Sequence, residues 1–414
     1  MEPKKIAIVQ VALSHGGAEH VGVLLANGFH QRGHQVSIYT DLTEPVVYQV
    51  DKGIPIVDFV GKKTNVLWKW IKAIYHIRKN IKKERPDVVI GIMGLCTFIS
   101  YIACMGQGIP VVMTEHNAFE RPDSAPMPLS LKIFKFWINK LYKNITVLTE
   151  ADKKVIGNKL KNVTVMPNPL LLKPIDKVPP KEKTVLAVGR VNGWHVKGFD
   201  ILLQAWSKII SNEQLEISNY DYSQNGKPSL WWLKIAGDGK KESFEYLMNL
   251  LPDGEWSSKE ERGERREESA VWRSEKYRIE FLGFQKDMES LYKKSEIFVL
   301  SSRYEGFGLV LIEAMSQGCA LVACDYKGRQ REILNPSSAL PEGEGEPNRK
   351  IEITENGILC EPDNVETLAA GLQKMMEDED YRKRVLLNVV ERSKFYDIEH
   401  TMSRWEYLIN NNRL

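Results

Sequence analysis

Short apolar runs separated by longer amphipathic stretches recur along the chain. Ile6–Val11, Val36–Thr40, Val88–Ile92, Val111–Thr114 and Thr146–Thr149 are rich in β-branched residues and too short for buried helices, so they predict strands. The segment from Gly16-Gly17 to about Arg32 and that from about Cys96 to Met105 predict helices. Strand and helix in alternation imply a parallel sheet with right-handed crossovers. "VMPNPL" (Val165–Leu170) and "KPIDKVPPKEK" (Lys173–Lys183) interrupt the pattern with prolines and charge. It then restarts, with strands at Val185–Val188, Leu233–Ala236, Ile279–Leu282, Ile297–Leu300 and Ala320–Cys324. Helices are predicted over Phe199–Ile210, after Gly237-Asp238-Gly239, over Met288–Lys294 and in "LVLIEAMSQG". The expected fold class is α/β, with two doubly wound, Rossmann-like domains over 1–178 and 179–390 and a C-terminal segment, 391–414. Ligands of such sheets bind beyond the carboxyl ends of the strands, so the expected site is a central cleft between the domains.

Three stretches test this parse. Val88 to Thr114 carries no charge over 27 residues, long enough to cross a bilayer. Gly106-Gln107-Gly108-Ile109-Pro110 breaks it, however, and strand–helix–strand inside a covered parallel sheet is the expectation. Ser211–Ser229 is long and polar, and Pro252–Arg278 is dense in Glu and Arg. Both are expected as solvated surface helix or loop.

Composition refines the picture. With 43% hydrophobic and 27% charged residues among 414, the chain reads as soluble and globular. The net charge of +3 suggests no nucleic-acid partner. Residues 1–180 hold 24 Lys and Arg against 14 Asp and Glu, and the remainder 33 against 40, so the first half is the one suited to an anionic partner. Cys96, Cys104, Cys319, Cys324 and Cys360 lack metal-ligand spacing and are expected as reduced core residues of a cytoplasmic protein. The N-terminus runs from Met-Glu-Pro-Lys-Lys straight into a strand, with no expected signal peptide.

The candidate chemistry lies at predicted strand ends. In "YEGFGLVLIEAMSQG" (Tyr304–Gly318), Glu305-Gly306-Phe307-Gly308 links a strand to a helix opening at Leu309. Glycines let a ligand approach the backbone, and the helix start offers free N–H groups to a phosphate. Glu305 stands before the turn, and Glu313 points back toward it from the helix. One acid can grip each sugar of a nucleotide-sugar, with the diphosphate between them. In "VGRVNGWHVKGFDILL" (Val188–Leu203), Arg190 and Lys197 put two cations at another strand end, a diphosphate clamp. The same cations would support a departing diphosphate.

With these motifs the chain resembles the retaining, GT-B-fold glycosyltransferases of family 4 (glycosyl transferases group 1). The matching residues are Gly16-Gly17-Ala18-Glu19, Glu115-His116-Asn117, Gly189-Arg190 with Lys197-Gly198, Gly237-Asp238-Gly239, and Glu305-Gly-Phe-Gly with Glu313. The resemblance implies that Arg190 and Lys197 bind the donor diphosphate. Glu305 would bind donor-sugar hydroxyls, with backbone N–H groups around Phe307 and Gly308, and Glu313 the ribose. Gly16 and Gly17 would let the first-domain loop approach the donor, and His116 would lie over the sugar near the acceptor. The backbone near Phe284 in "FLGFQ" would hold the base. The implied reaction retains the anomeric configuration by front-face displacement, in which the departing phosphate helps deprotonate the acceptor hydroxyl. No metal or other cofactor is expected, and Asp378-Glu379-Asp380 is expected to face solvent. The closing helix, about Ile398–Leu408, would return to the first domain. His116 has a plainer reading as a hydrogen-bonded strand-end residue. His15 and His195 flank glycine loops and are weaker candidates.

Lys62–Lys83 sets Leu67, Trp68, Trp70, Ile71, Ile74, Ile77 and Ile81 near helical spacing among eight Lys or Arg. Leu131–Lys143 is a second such segment. Both suit an anionic membrane surface, although helices of this fold also bury an apolar face on the sheet. The leading expectation is a peripheral enzyme on the inner face of the cell membrane. It would move a sugar from a nucleoside-diphosphate donor, UDP-linked rather than GDP-linked, to a lipid-linked glycan acceptor in polysaccharide assembly. The alternatives are a GT-B epimerase or phosphorylase, a non-catalytic sugar-nucleotide binder, and a nicotinamide oxidoreductase. "SHGGAEHVG" lacks the Gly-x-Gly-x-x-Gly spacing that the last requires.

Overall fold

The computed structural model describes residues 2–14, 16–61, 65–121, 126–218, 230–251, 253–259, 271–334 and 351–410. It divides into two compact units, Met1–Leu171 with Tyr396–Leu414, and Leu172–Phe395.

The first unit runs β1 (Lys5–Val9), α1 (Gly17–Gln31), β2 (Gln35–Thr40), β3 (Ile56–Asp58), α2 (Val66–Glu84), β4 (Val88–Ile92), α3 (Met93–Cys104), β5 (Val111–Thr114), α4 (Leu129–Phe136), β6 (Asn144–Val147), α5 (Glu150–Ile156) and β7 (Val163–Val165). The strands pair in parallel in the order β3-β2-β1-β4-β5-β6-β7. The charge-free stretch is strand, helix and strand, and every residue of β4 and β5 is buried. Among the described residues, no helix is long and apolar enough to cross a membrane.

Two strand ends move for identifiable reasons. β1 stops at Val9 rather than Val11 because Gln10 is a fully buried corner, its side-chain amide donating to the carbonyls of Ala12 and Glu19. β6 is Asn144–Val147 rather than Thr146–Thr149, since Thr149 caps α5 by accepting from the Asp152 N–H at 3.1 Å. α2 begins where Asn65 accepts from the Trp68 N–H at 3.0 Å. Its inner face, Ala73, Ile77 and Ile81, is fully buried with Trp70 and Ile74 packed beside it. Each buried isoleucine contributes about 1.5–3 kcal/mol. The basic segment at Leu131–Lys143 is not one helix: α4 gives way to a 3₁₀ turn at Ile138–Leu141.

The second unit contains β8 (Glu182–Val188), α6 (Trp194–Lys197), α7 (Phe199–Ser218), β9 (Trp232–Ala236), α8 (Lys241–Asn249), β10 (Ser257–Lys259), β11 (Val271–Ser274), β12 (Ile279–Gly283), α9 (Met288–Lys294), β13 (Ser295–Leu300), α10 (Leu309–Ser316), β14 (Ala320–Cys324), α11 (Arg329–Leu334), β15 (Glu352–Thr354), β16 (Gly357–Cys360), α12 (Val365–Glu377) and α13 (Glu379–Ser393). The sheet order is β10-β11-β12-β9-β8-β13-β14-β16-β15. The strands from β12 to β16 in that order pair in parallel, and β10, β11 and β15 join antiparallel at the edges. The Glu/Arg-rich stretch expected as solvated surface therefore contributes two edge strands; its residues 260–270 lie outside the described residues. Likewise α7 runs eight residues past Ile210, and 219–229 lie outside the description.

The last helix, α14 (Ile398–Asn410), packs on α1 of the first unit. A Cβ at Gly28 would stand 2.7 Å from Met402 Sδ, and Arg32 pairs with Glu399 and Glu406 at 2.5 and 2.7 Å. All five cysteines are buried and unpaired with one another.

Candidate active site

In the second sheet, β12, β9, β8 and β13 are successive neighbours, so their carboxyl-end loops form one row. Phe284 follows β12, Gly237 follows β9, Arg190 follows β8 and Glu305 follows β13. The row is tightly closed between β8 and β9. The Gly189 N–H donates to the Ala236 carbonyl, and a Cβ at Gly237 would lie 1.8 Å from the Gly189 oxygen. Only glycine fits there. Arg190 and Phe284 are exposed, the latter at 48%.

Lys197 ends the short helix α6 after β8, and its aliphatic stem crosses Gly189, where a Cβ would come within 3.1 Å. Its Nζ donates to Glu305 Oε1 at 2.6 Å, and Ser302 Oγ donates to the same oxygen at 2.7 Å. The structure thus brings together two residues 108 apart in sequence. Both are reachable, with side-chain exposures of 26% for Lys197 and 15% for Glu305.

Backbone and one arginine impose that meeting. The Ser301 hydroxyl donates to the Lys197 carbonyl, and the Arg303 N–H to the Val196 carbonyl. Arg303 also donates to the His195 carbonyl at 2.6 Å, to both Asp200 oxygens at 2.8 Å and to Asp363 at 2.8 Å. A bidentate guanidinium–carboxylate pair fixes direction as well as distance. Gly198 (φ +64°) makes the turn from α6 to α7, and a Cβ there would stand 2.0 Å from the Ser301 oxygen.

Gly306 and the buried Phe307 lead to Gly308, whose φ of +91° sets the start of α10 at Leu309. No side chain caps the helix; the Leu311 N–H donates to the Gly308 carbonyl at 2.9 Å, and the positive dipole end at Leu309 favours an anion. Glu313 lies one turn along. Its Oε2 accepts from the Tyr292 hydroxyl at 3.0 Å, and loss of water around the carboxyl pushes its pKa up to about 7.

Gly16, Gly17 and His116 lie in the first unit. Gly16 precedes α1 in extended backbone, its N–H donating to the Tyr48 hydroxyl at 2.9 Å, and Gly17 opens the helix. His15 lies outside the described residues. His116 follows β5, with Nδ1 3.1 Å from Asn168 Oδ1 and Nε2 3.1 Å from Thr114 Oγ1. Burial pushes its pKa down to about 4, so the ring is neutral near pH 7. Beside it, Glu115 is buried against Lys135 of α4 at 3.3 Å and accepts from the Asn117 N–H.

Asp378 of the Asp-x-Asp run caps α13, accepting from the Tyr381 N–H at 2.9 Å. Among the described residues, no three His, Cys, Asp or Glu side chains cluster as metal ligands would. Arg303, Ser302, Tyr292 and Asn168 escaped the sequence reading. Ser302 and Arg303 had a signal in their place just ahead of Glu305, whereas Tyr292 and Asn168 act across 21 and 52 residues.

Two Rossmann-like parallel-sheet units are the architecture of the GT-B class. The family description "Glycosyl transferases group 1" matches residues 172–388 and "Glycosyltransferase Family 4" matches residues 15–170. The chain belongs to this glycosyltransferase family. It is 24% identical over 418 residues to the Campylobacter jejuni GalNAc-alpha-(1->4)-GalNAc-alpha-(1->3)-diNAcBac-PP-undecaprenol alpha-1,4-N-acetyl-D-galactosaminyltransferase, covering 98% of both chains. Among solved structures, the sucrose-phosphate synthase of Thermosynechococcus elongatus superposes with a TM-score of 0.73 at 17% identity, covering 98% of each chain. Anabaena HepE in complex with UDP and glucose superposes with a TM-score of 0.68 at 15% identity, covering 98% of this chain and 99% of that one. These neighbours share the fold.

Proposed function

We propose that the protein transfers a sugar, with retention of anomeric configuration and without a metal, from a UDP-sugar to a lipid-linked glycan at an anionic membrane surface. The observation that carries this reading is the Lys197–Glu305 contact in the row of strand-end loops, beside the open start of α10. Arg190 and Lys197 clamp the diphosphate, Glu305 takes sugar hydroxyls, Glu313 takes the ribose, and the backbone near Phe284 takes the base. Without donor, Lys197 neutralises Glu305. With donor bound, its ammonium turns to the phosphates and frees a carboxylate oxygen for the sugar. Negative charge growing on the leaving oxygen meets the two cations and the helix start, and the departing phosphate accepts the proton of the attacking hydroxyl. With side chains supplying the positive charge, no metal is needed. The C. jejuni relative, named for an undecaprenol-linked substrate, supports the acceptor class, and the HepE complex with UDP supports the donor base.

The first unit supports the membrane site. α2 turns Trp68 (55% exposed), Ile71 and Tyr75 outward, and α4 with its following turn exposes Leu129, Ile133, Trp137 (70%) and Leu141. Exposed Lys79, Lys82, Lys83, Lys132 and Lys140 accompany them. Tryptophans with basic residues suit the headgroup boundary of an anionic leaflet. The deciding experiment incubates the purified protein with UDP-sugars and polyprenyl-diphosphate-linked glycans, with and without chelator, and reads product linkage by NMR. An α-linked product from an α-linked donor, formed in chelator, is expected. An inverted product, or free sugar in place of transfer, would overturn the reading.

A further inference from the structure

Tyr292 is fully buried on α9, the helix that follows the Phe284 loop, and it is fixed from three sides. Its carbonyl accepts from Lys181 Nζ at 3.0 Å and from Cys319 Sγ at 3.1 Å. Its ring stands edge-on to Phe298, with centroids 5.8 Å apart. Its hydroxyl reaches across to α10 and donates to Glu313 Oε2 at 3.0 Å. We propose that Tyr292 is a positioning residue for the nucleotide: its phenol orients the Glu313 carboxylate toward the ribose diol and thereby sets the pH range in which donor binds. This rests on the assignment of Glu313 to the ribose.

The surroundings of Glu313 leave the task to this phenol. Among the described residues, no cation pairs with the carboxyl. Several ionisable groups on the elements packed around it are engaged elsewhere or neutral, Lys293 of α9 with Glu289 at 2.6 Å among them. Lys181 is spent on the carbonyls of Tyr292, Lys293, Ser295 and Gln317. On α13, Arg382 pairs with Glu296 of β13, and the Tyr381 hydroxyl donates to the Thr354 and Gly357 carbonyls. Cys319 and Cys324, flanking and ending β14, have thiol pKa values pushed up by burial and stay protonated. Glu313 is therefore held near half-ionisation at neutral pH by two opposed effects: desolvation favours the acid, and the phenol's O–H favours the carboxylate. A diol needs the carboxylate, because two O–H donors require two free acceptor oxygens and a protonated carboxyl presents one. The phenol occupies one lone pair of Oε2 and leaves the opposite side of the group to the sugar.

The sign follows. In the native enzyme, donor affinity is expected to rise with pH around about 7. In Tyr292→Phe the carboxyl loses the donor that favours its charged form, so the midpoint moves up by about one pH unit. Well above the new midpoint the two proteins converge. The test is calorimetric titration of the full-length protein with UDP-glucose, and with GDP-mannose as a second ribonucleotide sugar, from about pH 6 to about pH 8.5. Comparison with wild type cancels every other titrating group. Glu313→Gln should bind more weakly, with the pH step near 7 gone. The Michaelis constant of Tyr292→Phe for donor should follow the same shift. A Tyr292→Phe curve that overlies wild type, or that falls equally at every pH as a merely structural defect would, overturns the inference. Should Tyr292→Phe not fold, Glu313→Gln decides, since a wild-type pH step in that variant equally overturns it. Glu313→Ala that retains wild-type affinity would instead remove Glu313 from the ribose. Tyr292 then falls with that assignment.

Discussion

At the carboxyl edge of the first sheet, His116 is a neutral ring engaged at both nitrogens by uncharged partners, and Glu115 is buried against Lys135. At the carboxyl edge of the second, Lys197 and Glu305 meet at 2.6 Å with both side chains partly open to solvent. Arg303 holds that second arrangement through Asp200 and Asp363. At His116 the first edge is thus polar but electrically quiet, and its unit keeps exposed charge on α2 and α4. The second concentrates charge at its loops. An enzyme that binds a dianionic donor needs fixed cations where the leaving group departs, whereas a surface that meets a hydroxyl nucleophile does better with neutral hydrogen-bonding groups.

That contrast can be broken most directly at its charged pole. Lys197→Ala or Glu305→Ala should cut transfer by roughly 10²–10³-fold with the circular dichroism spectrum unchanged, the size of a lost preorganised electrostatic contact. Steady-state assays with UDP-sugar and acceptor measure it, and wild-type turnover in either variant would remove the pole altogether. Next in size is Gly198→Ala. Its Cβ would strike the Ser301 carbonyl at 2.0 Å in left-handed backbone, so denaturant unfolding of the second unit should show a loss of about 3 kcal/mol.

The quiet pole offers a smaller effect with a defined sign. His116 titrates near 4 when folded and from 6.5 when unfolded, so the unfolded chain takes up more protons between those values. Stability is fully present above pH 6.5 and falls as pH drops toward 4, the loss reaching about 2 kcal/mol by about pH 5. His116→Gln should flatten that slope in urea titrations run at successive pH values, and an unchanged slope would show that the ring is not desolvated. Smallest are the lysines of the basic face. Neutralising Lys79 or Lys82 should each weaken binding to vesicles of anionic phospholipid by about fivefold, roughly 1 kcal/mol per charge. Transfer to a short soluble acceptor should stay unchanged.

Legibility in the sequence followed range. Buried strands such as Val88–Ile92 were readable because parallel strands covered on both faces need uninterrupted apolar residues. The Glu305–Glu313 element was readable because a strand, a glycine turn and a helix lie contiguous in one short segment. The edge strands β10 and β11 were hidden, since Glu/Arg-rich sequence carries no two-residue apolar alternation and their pairing is supplied by β12. The length of α7 was hidden in the same way, behind a polar composition that a solvent-facing helix tolerates.

By itself, the order of apolar runs and glycine turns determined two doubly wound sheets and which loops carry cations and acids, because those signals are local and written in residue type. Tertiary structure alone decided that Lys197 would face Glu305, that Arg303 would bind the two loops, and that Tyr292 would reach Glu313. Each of these contacts joins residues far apart along the chain. Their energies depend on distance, direction and exclusion of water, which exist only after the sheet has set its strand ends side by side.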